Sequence, residues 1–203
     1  MINYKKPELH EMDKIANLHM ECFKGYFLSS FGVEIVKKYY EEFFKEKELF
    51  IVAEDEDGNC IGFVMGYLSG SVARKNFERK YRRVLTIKLL LRCFKCDKMA
   101  ILKCIEKVKG FLKRKKGNKK PEKKTGDLLS ICVASYWRGC GVAEGLVKNF
   151  EELLAKDGVK EYTLSVRKDN KGARKFYEKV GFYLLKEGKE DVKYIKKVDA
   201  TKN

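Results

Sequence analysis

Apolar residues recur along this chain at two periods, and the alternation between them lays out its elements. Met12, Ile15, Ala16, His19, Cys22 and Phe23 fall three or four apart, as do Val33, Ile35, Val36, Tyr39, Tyr40, Phe43 and Phe44, so each set lines one side of a predicted helix. A short strand over Ile2 to Tyr4 precedes them. Leu49 to Glu54 and Cys60 to Leu68 read as two strands joined through Asp55-Glu56-Asp57-Gly58-Asn59, whose Asp-Gly pair is a hairpin signal. Further on, Leu128 to Val133 predicts a buried strand, and Val142, Leu146, Val147, Phe150, Leu153 and Leu154 predict the core side of a following helix. Glu161 to Val166 is a strand, Ala173 to Val180 a helix, and Phe182 to Leu185 with Val192 to Val198 a last hairpin across Glu187-Gly188-Lys189.

More than 50 residues separate the third strand from the fourth. Val72, Phe77, Tyr81, Val84, Leu85, Leu89 and Leu90 predict one amphipathic segment there, and Ile101, Leu102, Ile105, Val108, Phe111 and Leu112 another. From Lys113 to Gly126 almost nothing is apolar, and Gly117, Asn118, Pro121 and Gly126 interrupt a lysine-rich tract that predicts mobility.

Length and composition narrow the class. A chain of 203 residues, 44% hydrophobic, fits one domain spanning 1–203 with an insertion at 70–126. No apolar run approaches the roughly 18 residues needed to span a bilayer. The start, Met1 to Glu8, lacks the apolar stretch of a secretory signal, so a cytoplasmic protein is expected. The seven cysteines follow no framework spacing and read as free thiols in a reducing compartment. Cys93-x-x-Cys96 with Cys104 lacks a second ligand pair, and no metal site is expected.

The net charge of +16 sits in one segment. Residues 70–125 hold 21 Lys or Arg against four acids, while the remainder holds 24 basic and 25 acidic residues. A nearly neutral body therefore carries a strongly basic insertion, which bears on partners more than on fold.

Chemistry enters with Arg138-Gly139-Cys140-Gly141-Val142-Ala143, which lies between the predicted strand at Val133 and the predicted helix. Glycines at such a turn let a backbone approach a ligand closely, and the unpaired amides of a first helical turn suit a pyrophosphate. Arg138-x-x-Gly141-x-Ala143 resembles the Q/R-x-x-G-x-G/A signature of the GCN5-related N-acetyltransferases. Asn170-x-x-Ala173-x-x-Phe176-Tyr177-Glu178-Lys179-x-Gly181-Phe182 resembles their second signature, in the right order and context.

The resemblance implies an α/β fold of that family, a mixed, mostly antiparallel central sheet flanked by helices; the basic helical insert between the third and fourth strands departs from the family's pattern. It implies acetyl-CoA as cosubstrate and direct attack by a primary amine in a ternary complex. Arg138, Gly139, Cys140, Gly141, Val142 and Ala143 would hold the phosphates, the backbone near Val133 would bind pantetheine as an added strand, and Asn170 and Ala173 would position the cofactor. Tyr177 stands where the family commonly protonates or hydrogen-bonds the leaving sulfur; the alternative is an aromatic core residue. Asp127 stands where histone-type members carry a catalytic glutamate; the alternative is a residue that ends the loop after Gly126. Ribosomal-protein-type members place a glutamate where this chain has Ser165, which cannot serve as a comparable base.

An alkylamine with a pKa of about 10.4 is neutral at pH 7 only once in a few thousand molecules, a handicap of roughly 4–5 kcal/mol, so a base is expected to help. The acceptor is expected to be a small-molecule amine, an amino sugar among the options. For the insertion, a cover that attracts an anionic acceptor, an anionic membrane surface, nucleic acid and a merely solvated face all stand. A second reading of the whole chain is a noncatalytic acyl-CoA-binding module. Cys132 and Cys140 are expected to be packing residues or oxidation-sensitive bystanders, and His19 a surface or core histidine.

Overall fold

Strands β1 (Asn3–Lys5), β2 (Leu49–Glu54), β3 (Cys60–Leu68), β4 (Gly126–Val133), β5 (Glu161–Arg167), β6 (Tyr183–Glu187) and β7 (Asp191–Lys197) form one sheet in the order β1-β2-β3-β4-β5-β7-β6. The computed structural model describes residues 1–46, 49–94 and 124–198. All neighbouring strands are antiparallel except β4 and β5. That parallel pair needs a crossover, which is supplied by helix α5 (Val142–Lys156).

The apolar periods seen in the sequence are spent on two layers. On one face Leu146, Phe150 and Leu154 of α5 bury against Leu49, Ile51, Val64 and Leu128, joined by Tyr177 of α6 (Lys171–Lys179). On the other, Met12 and Ile15 of α1 (Met12–Cys22) and Val36, Tyr40 and Phe43 of α2 (Val33–Lys45) bury against Phe50, Val52, Phe63 and Met65. Alternate residues of β2 thus enter opposite cores, and the strand reads as an unbroken apolar run because both its faces are covered.

The register between β3 and β4 slips once: Met65 faces Ser130 but Gly66 faces Leu128, leaving Leu129 as an extra residue. Such a bulge bends its strand. Gly66 makes the bend packable, since a Cβ there would lie 2.5 Å from the Phe150 ring. Past this point β4 departs from β5. Only Gly126, Asp127 and Leu128 pair with β5, opposite Tyr162, Thr163 and Leu164, and the two strands diverge towards Val133 and Arg167.

Residues 72–90 form two helices rather than the single segment expected. Helix α3 (Ala73–Lys80) ends at Tyr81 and α4 (Arg82–Phe94) starts after it. The break turns Phe77 into a third apolar cluster with Phe31 and Ile35, against which Tyr81 and Leu85 pack. Lys80 pairs with Glu42 at 2.8 Å and Lys88 Nζ donates to the Phe31 carbonyl at 2.6 Å, so both helices dock on the α1–α2 side. The expected helix over 101–112 and the lysine-rich tract up to 123 lie outside the described residues. At the base of the segment between β3 and β4, Ser69 N donates to Thr125 O at 2.8 Å and Thr125 N to Ser69 Oγ at 3.2 Å, which pins its two ends together.

Candidate active site

The wedge between β4 and β5 opens beside the glycine turn, and this juxtaposition defines the site. Gly139 and Gly141 have φ of 81° and 80°, conformations that L side chains rarely adopt, and Gly141 caps α5 in the left-handed region. The turn aims the first turn of α5 outward. Among the described residues the amides of Val142 and Ala143 have no acceptor, whereas the Glu144 carboxylate takes its own N–H and pairs with Lys179 at 2.9 Å. Arg138 is exposed, and its Nε donates to the Val133 carbonyl at 3.2 Å across the mouth of the wedge. Gly139 and Cys140 are exposed beside it, and Cys140 N closes the turn onto Trp137 O at 3.4 Å.

Asp127 lies within β4 rather than ahead of it. Its neighbour Gly126 starts the strand, because the missing side chain admits Leu154, whose Cδ2 would lie 2.6 Å from a Cβ there. Asp127 pairs in register with Tyr67 and Thr163, near the apex of the wedge and on the sheet face that α1 and α2 cover. Thr163 Oγ1 donates to its Oδ2 at 3.0 Å. Burial raises its pKa; the Thr163 hydrogen bond and Lys193 oppose that rise without cancelling it. A cavity of about 370 Å³ opens here, lined by Tyr67, Ser69, Asp127, Glu161, Thr163 and Lys193 among others. Ser69 and Thr125, at the two ends of the segment between β3 and β4, stand on its rim.

Tyr177 sits on α6, buried among Phe176, Phe182 and Tyr194. Burial raises its pKa, and Tyr26 adds to the rise, so the phenol stays protonated. Tyr26 comes from the loop after α1 and stacks under Arg167 at 5.6 Å, which lays that loop against the open end of β5. Asn170 caps α6, its Oδ1 accepting from Ala173 N at 3.1 Å. Ser165 lies on β5 opposite Lys193 and is exposed.

His19, a candidate for either surface or core, is a core residue. Ser29 Oγ gives its proton to Phe23 O at 2.6 Å, so it accepts from His19 Nε2 at 3.2 Å, and Nδ1 accepts from Tyr40 Oη at 2.7 Å. That assignment leaves the ring neutral, as does burial, which lowers its pKa to about 4. Tyr40 also meets Ser130 of β4, so a chain of hydroxyls and imidazole ties the sheet to the loop carrying Tyr26. Thr163 and the hydrogen bonds of this chain escaped the sequence reading, since neither belongs to a motif. Among the described residues no cluster of His, Cys, Asp and Glu could hold a metal ion, and Cys96 and Cys104 lie outside them. No helix among the described residues is long and apolar enough to cross a membrane.

A model of the acetyltransferase (GNAT) family matches residues 12–182, from α1 through α6 and every element of the wedge. The chain belongs to this family. No curated protein matches the chain by sequence. Solved structures share the GNAT fold at low identity. The PaiA N-acetyltransferase of Thermoplasma acidophilum, in complex with coenzyme A, is 15% identical over 97% of this chain and 99% of its own, with a TM-score of 0.59. The Escherichia coli ribosomal-protein-S18-alanine N-acetyltransferase is 13% identical over 98% and 94%, at 0.60. Naa20 of Chaetomium thermophilum, in complex with a bisubstrate analogue, is 18% identical over 98% and 87%, at 0.59.

Proposed function

We propose that this chain transfers the acetyl group of acetyl-coenzyme A to a primary amine that enters the Asp127 cavity, by direct attack in a ternary complex. The observation that carries the reading is the wedge itself, a strand edge freed by the divergence of β4 from β5 and ending at a glycine turn with free helical amides. Pantetheine pairs with the β4 edge near Val133 as an extra strand, and a backbone amide there polarises the thioester carbonyl. The pyrophosphate takes the amides from Gly139 to Ala143, with Arg138 released from Val133 O to join it. Asn170 and Ala173 start the helix that presents Tyr177.

Asp127 has the requirements of a base: a carboxylate with a raised pKa, oriented by Thr163, in a cavity on the acceptor side. It takes the proton from the ammonium, directly or through one water, and the neutral amine attacks the carbonyl. Tyr177, protonated, hydrogen-bonds or protonates the departing thiolate. The segment 70–126 acts as an insertion of a single 1–203 domain that borders the acceptor cavity. Its cations favour an acceptor that carries an anionic group besides its amine, which suits a small molecule such as a charged amino sugar.

The test is thiol release from acetyl-coenzyme A against amino sugars, polyamines, amino acids and peptides with free N-termini. Turnover with one class and a fall of at least tenfold in kcat for Tyr177→Phe are expected, with acetyl-coenzyme A affinity retained. Tight cofactor binding without turnover on any amine would favour a noncatalytic acyl-CoA-binding module instead.

A further inference from the structure

Acetyl transfer leaves two thiols at the mouth of the wedge without a task. Cys22 ends α1, and its Sγ donates to the Val133 carbonyl at 3.5 Å, the same oxygen that receives Arg138 Nε at 3.2 Å. Cys132 precedes Val133 on β4 and packs on the face that α1 covers, as Cys22 does. Cys22 therefore meets the carbonyl next to Cys132 on the same face, and the two thiols and the Arg138 guanidinium act on one another electrostatically. Both residues are partly buried.

The pair is chemically unequal. The hydrogen bond from Cys132 and the charge of Arg138 bring the Cys22 thiol down to about 7, against burial and nearby Glu21. Burial and the neighbouring Cys22 push Cys132 well up, so it stays a thiol. Cys60, close enough to affect Cys132, is pushed up to about 12 by burial and bonds the Gly62 carbonyl at 3.7 Å. A partly buried thiol that ionises readily beside one held protonated is the arrangement of an attacking and a resolving cysteine.

We propose that Cys22 and Cys132 form a hydroperoxide-reactive thiol pair that closes to a disulfide across the mouth of the cofactor wedge. The Cys22 thiolate attacks one peroxide oxygen and the O–O bond breaks. The sulfur is oxidised to a sulfenic acid, and the other oxygen leaves as hydroxide or alkoxide and takes a proton. Cys132 sulfur then attacks the sulfenic sulfur, the S–S bond forms and the S–O bond breaks, and the hydroxide leaves as water with the Cys132 proton. The bridge ties α1 to β4 beside Val133. This chemistry stands independently of acetyl transfer, whereas its consequence, a blocked pantetheine path, rests on that reading.

The experiment treats the reduced full chain with one to two equivalents of hydrogen peroxide, blocks remaining thiols and maps linked peptides. A Cys22–Cys132 link is expected in the wild type and in Cys60→Ser. Cys132→Ser should stop at a sulfenic acid trapped by dimedone on Cys22, and Cys22→Ser should give neither product. First oxidation at any other cysteine, with no Cys22–Cys132 link, overturns the proposal. In a second arm the oxidised protein should bind coenzyme A at least tenfold more weakly, with dithiothreitol restoring affinity. A linked protein that binds coenzyme A unchanged would overturn the blocking role alone. Failure of the reduced protein to bind coenzyme A would overturn the acetyl-transfer reading, while the peptide map still decides the thiol pair.

Discussion

At the scale of single residues, the two most informative side chains are ionisable groups whose burial opposes their charge. Asp127 has a raised pKa in the folded chain, so above the unfolded value of about 3.9 its ionised form weakens the fold. Asp127→Asn keeps an acceptor for Thr163 and removes that cost. The variant should therefore unfold at a higher temperature at pH 7 while kcat falls by about 10²-fold or more, the usual contribution of a positioned base. A variant that is both slower and less stable would mean that the carboxylate serves packing rather than proton transfer. His19 titrates in the opposite sense. Its folded pKa of about 4 lies below the unfolded value of about 6.5, so its contribution is complete above 6.5 and drains away as pH falls towards 4. Between pH 7 and pH 5 this amounts to about 2 kcal/mol. Urea unfolding at the two pH values should show that much more acid sensitivity in the wild type than in His19→Gln, whatever the variant's own stability. Equal sensitivity would place the charged imidazole in the native state.

At the scale of elements, the wedge depends on a bulge as much as on strand order. Leu129 is the extra residue that turns β4 away from β5, and Gly66 opposite it leaves room for Phe150. A methyl at Gly66 meets both the Phe150 ring and the Asp127 carbonyl, so Gly66→Ala should cost about 1–3 kcal/mol, the range for overpacking a filled core. It should also weaken coenzyme A binding, because β4 moves. Thermal unfolding with calorimetric titration checks both, and a variant with lowered stability but intact affinity would uncouple the bulge from the wedge. The sequence already showed which segments are helix and which are strand, because each buried face leaves a period of its own. It did not show the bulge, since one strand run looks the same with or without a slipped register. Gly126 looked like the end of a loop because a glycine chosen for Leu154's contact is indistinguishable, in sequence, from one chosen for a turn. The break at Tyr81 was hidden likewise: the apolar period runs through it, and only Phe77's contact with Phe31 and Ile35 requires two helices. The glycine turn and α6 were legible as motifs, whereas Cys22 and Cys132 meet only because α1 lies across β4.

At the scale of the whole molecule, charge is divided between the Asp127 cavity and the segment that borders it. The carboxylates of Asp127 and Glu161 outnumber the ammonium of Lys193 in the cavity lining, while the segment carrying 21 of the 45 basic residues starts and ends on its rim at Ser69 and Thr125. On the proposed reading an ammonium is favoured inside and an anionic group outside, so an acceptor bearing both would be oriented before any contact forms. Excising the insertion is a poor probe of this, because it would strip Phe77 and Tyr81 from Phe31 and Ile35 and lay bare an apolar surface. Salt is a cleaner one. Raising ionic strength from about 0.05 M to 0.5 M shortens the Debye length from roughly 14 Å to 4 Å and should quench attraction by the segment's cations. With acetyl-coenzyme A saturating at every salt concentration, kcat/KM for an anionic amine should fall by at least fivefold, while that for an uncharged amino sugar of the same ring should change by less than twofold. Equal responses for the two acceptors would place the positive segment's work elsewhere than the acceptor cavity, because a field that steers the acceptor must distinguish its charge.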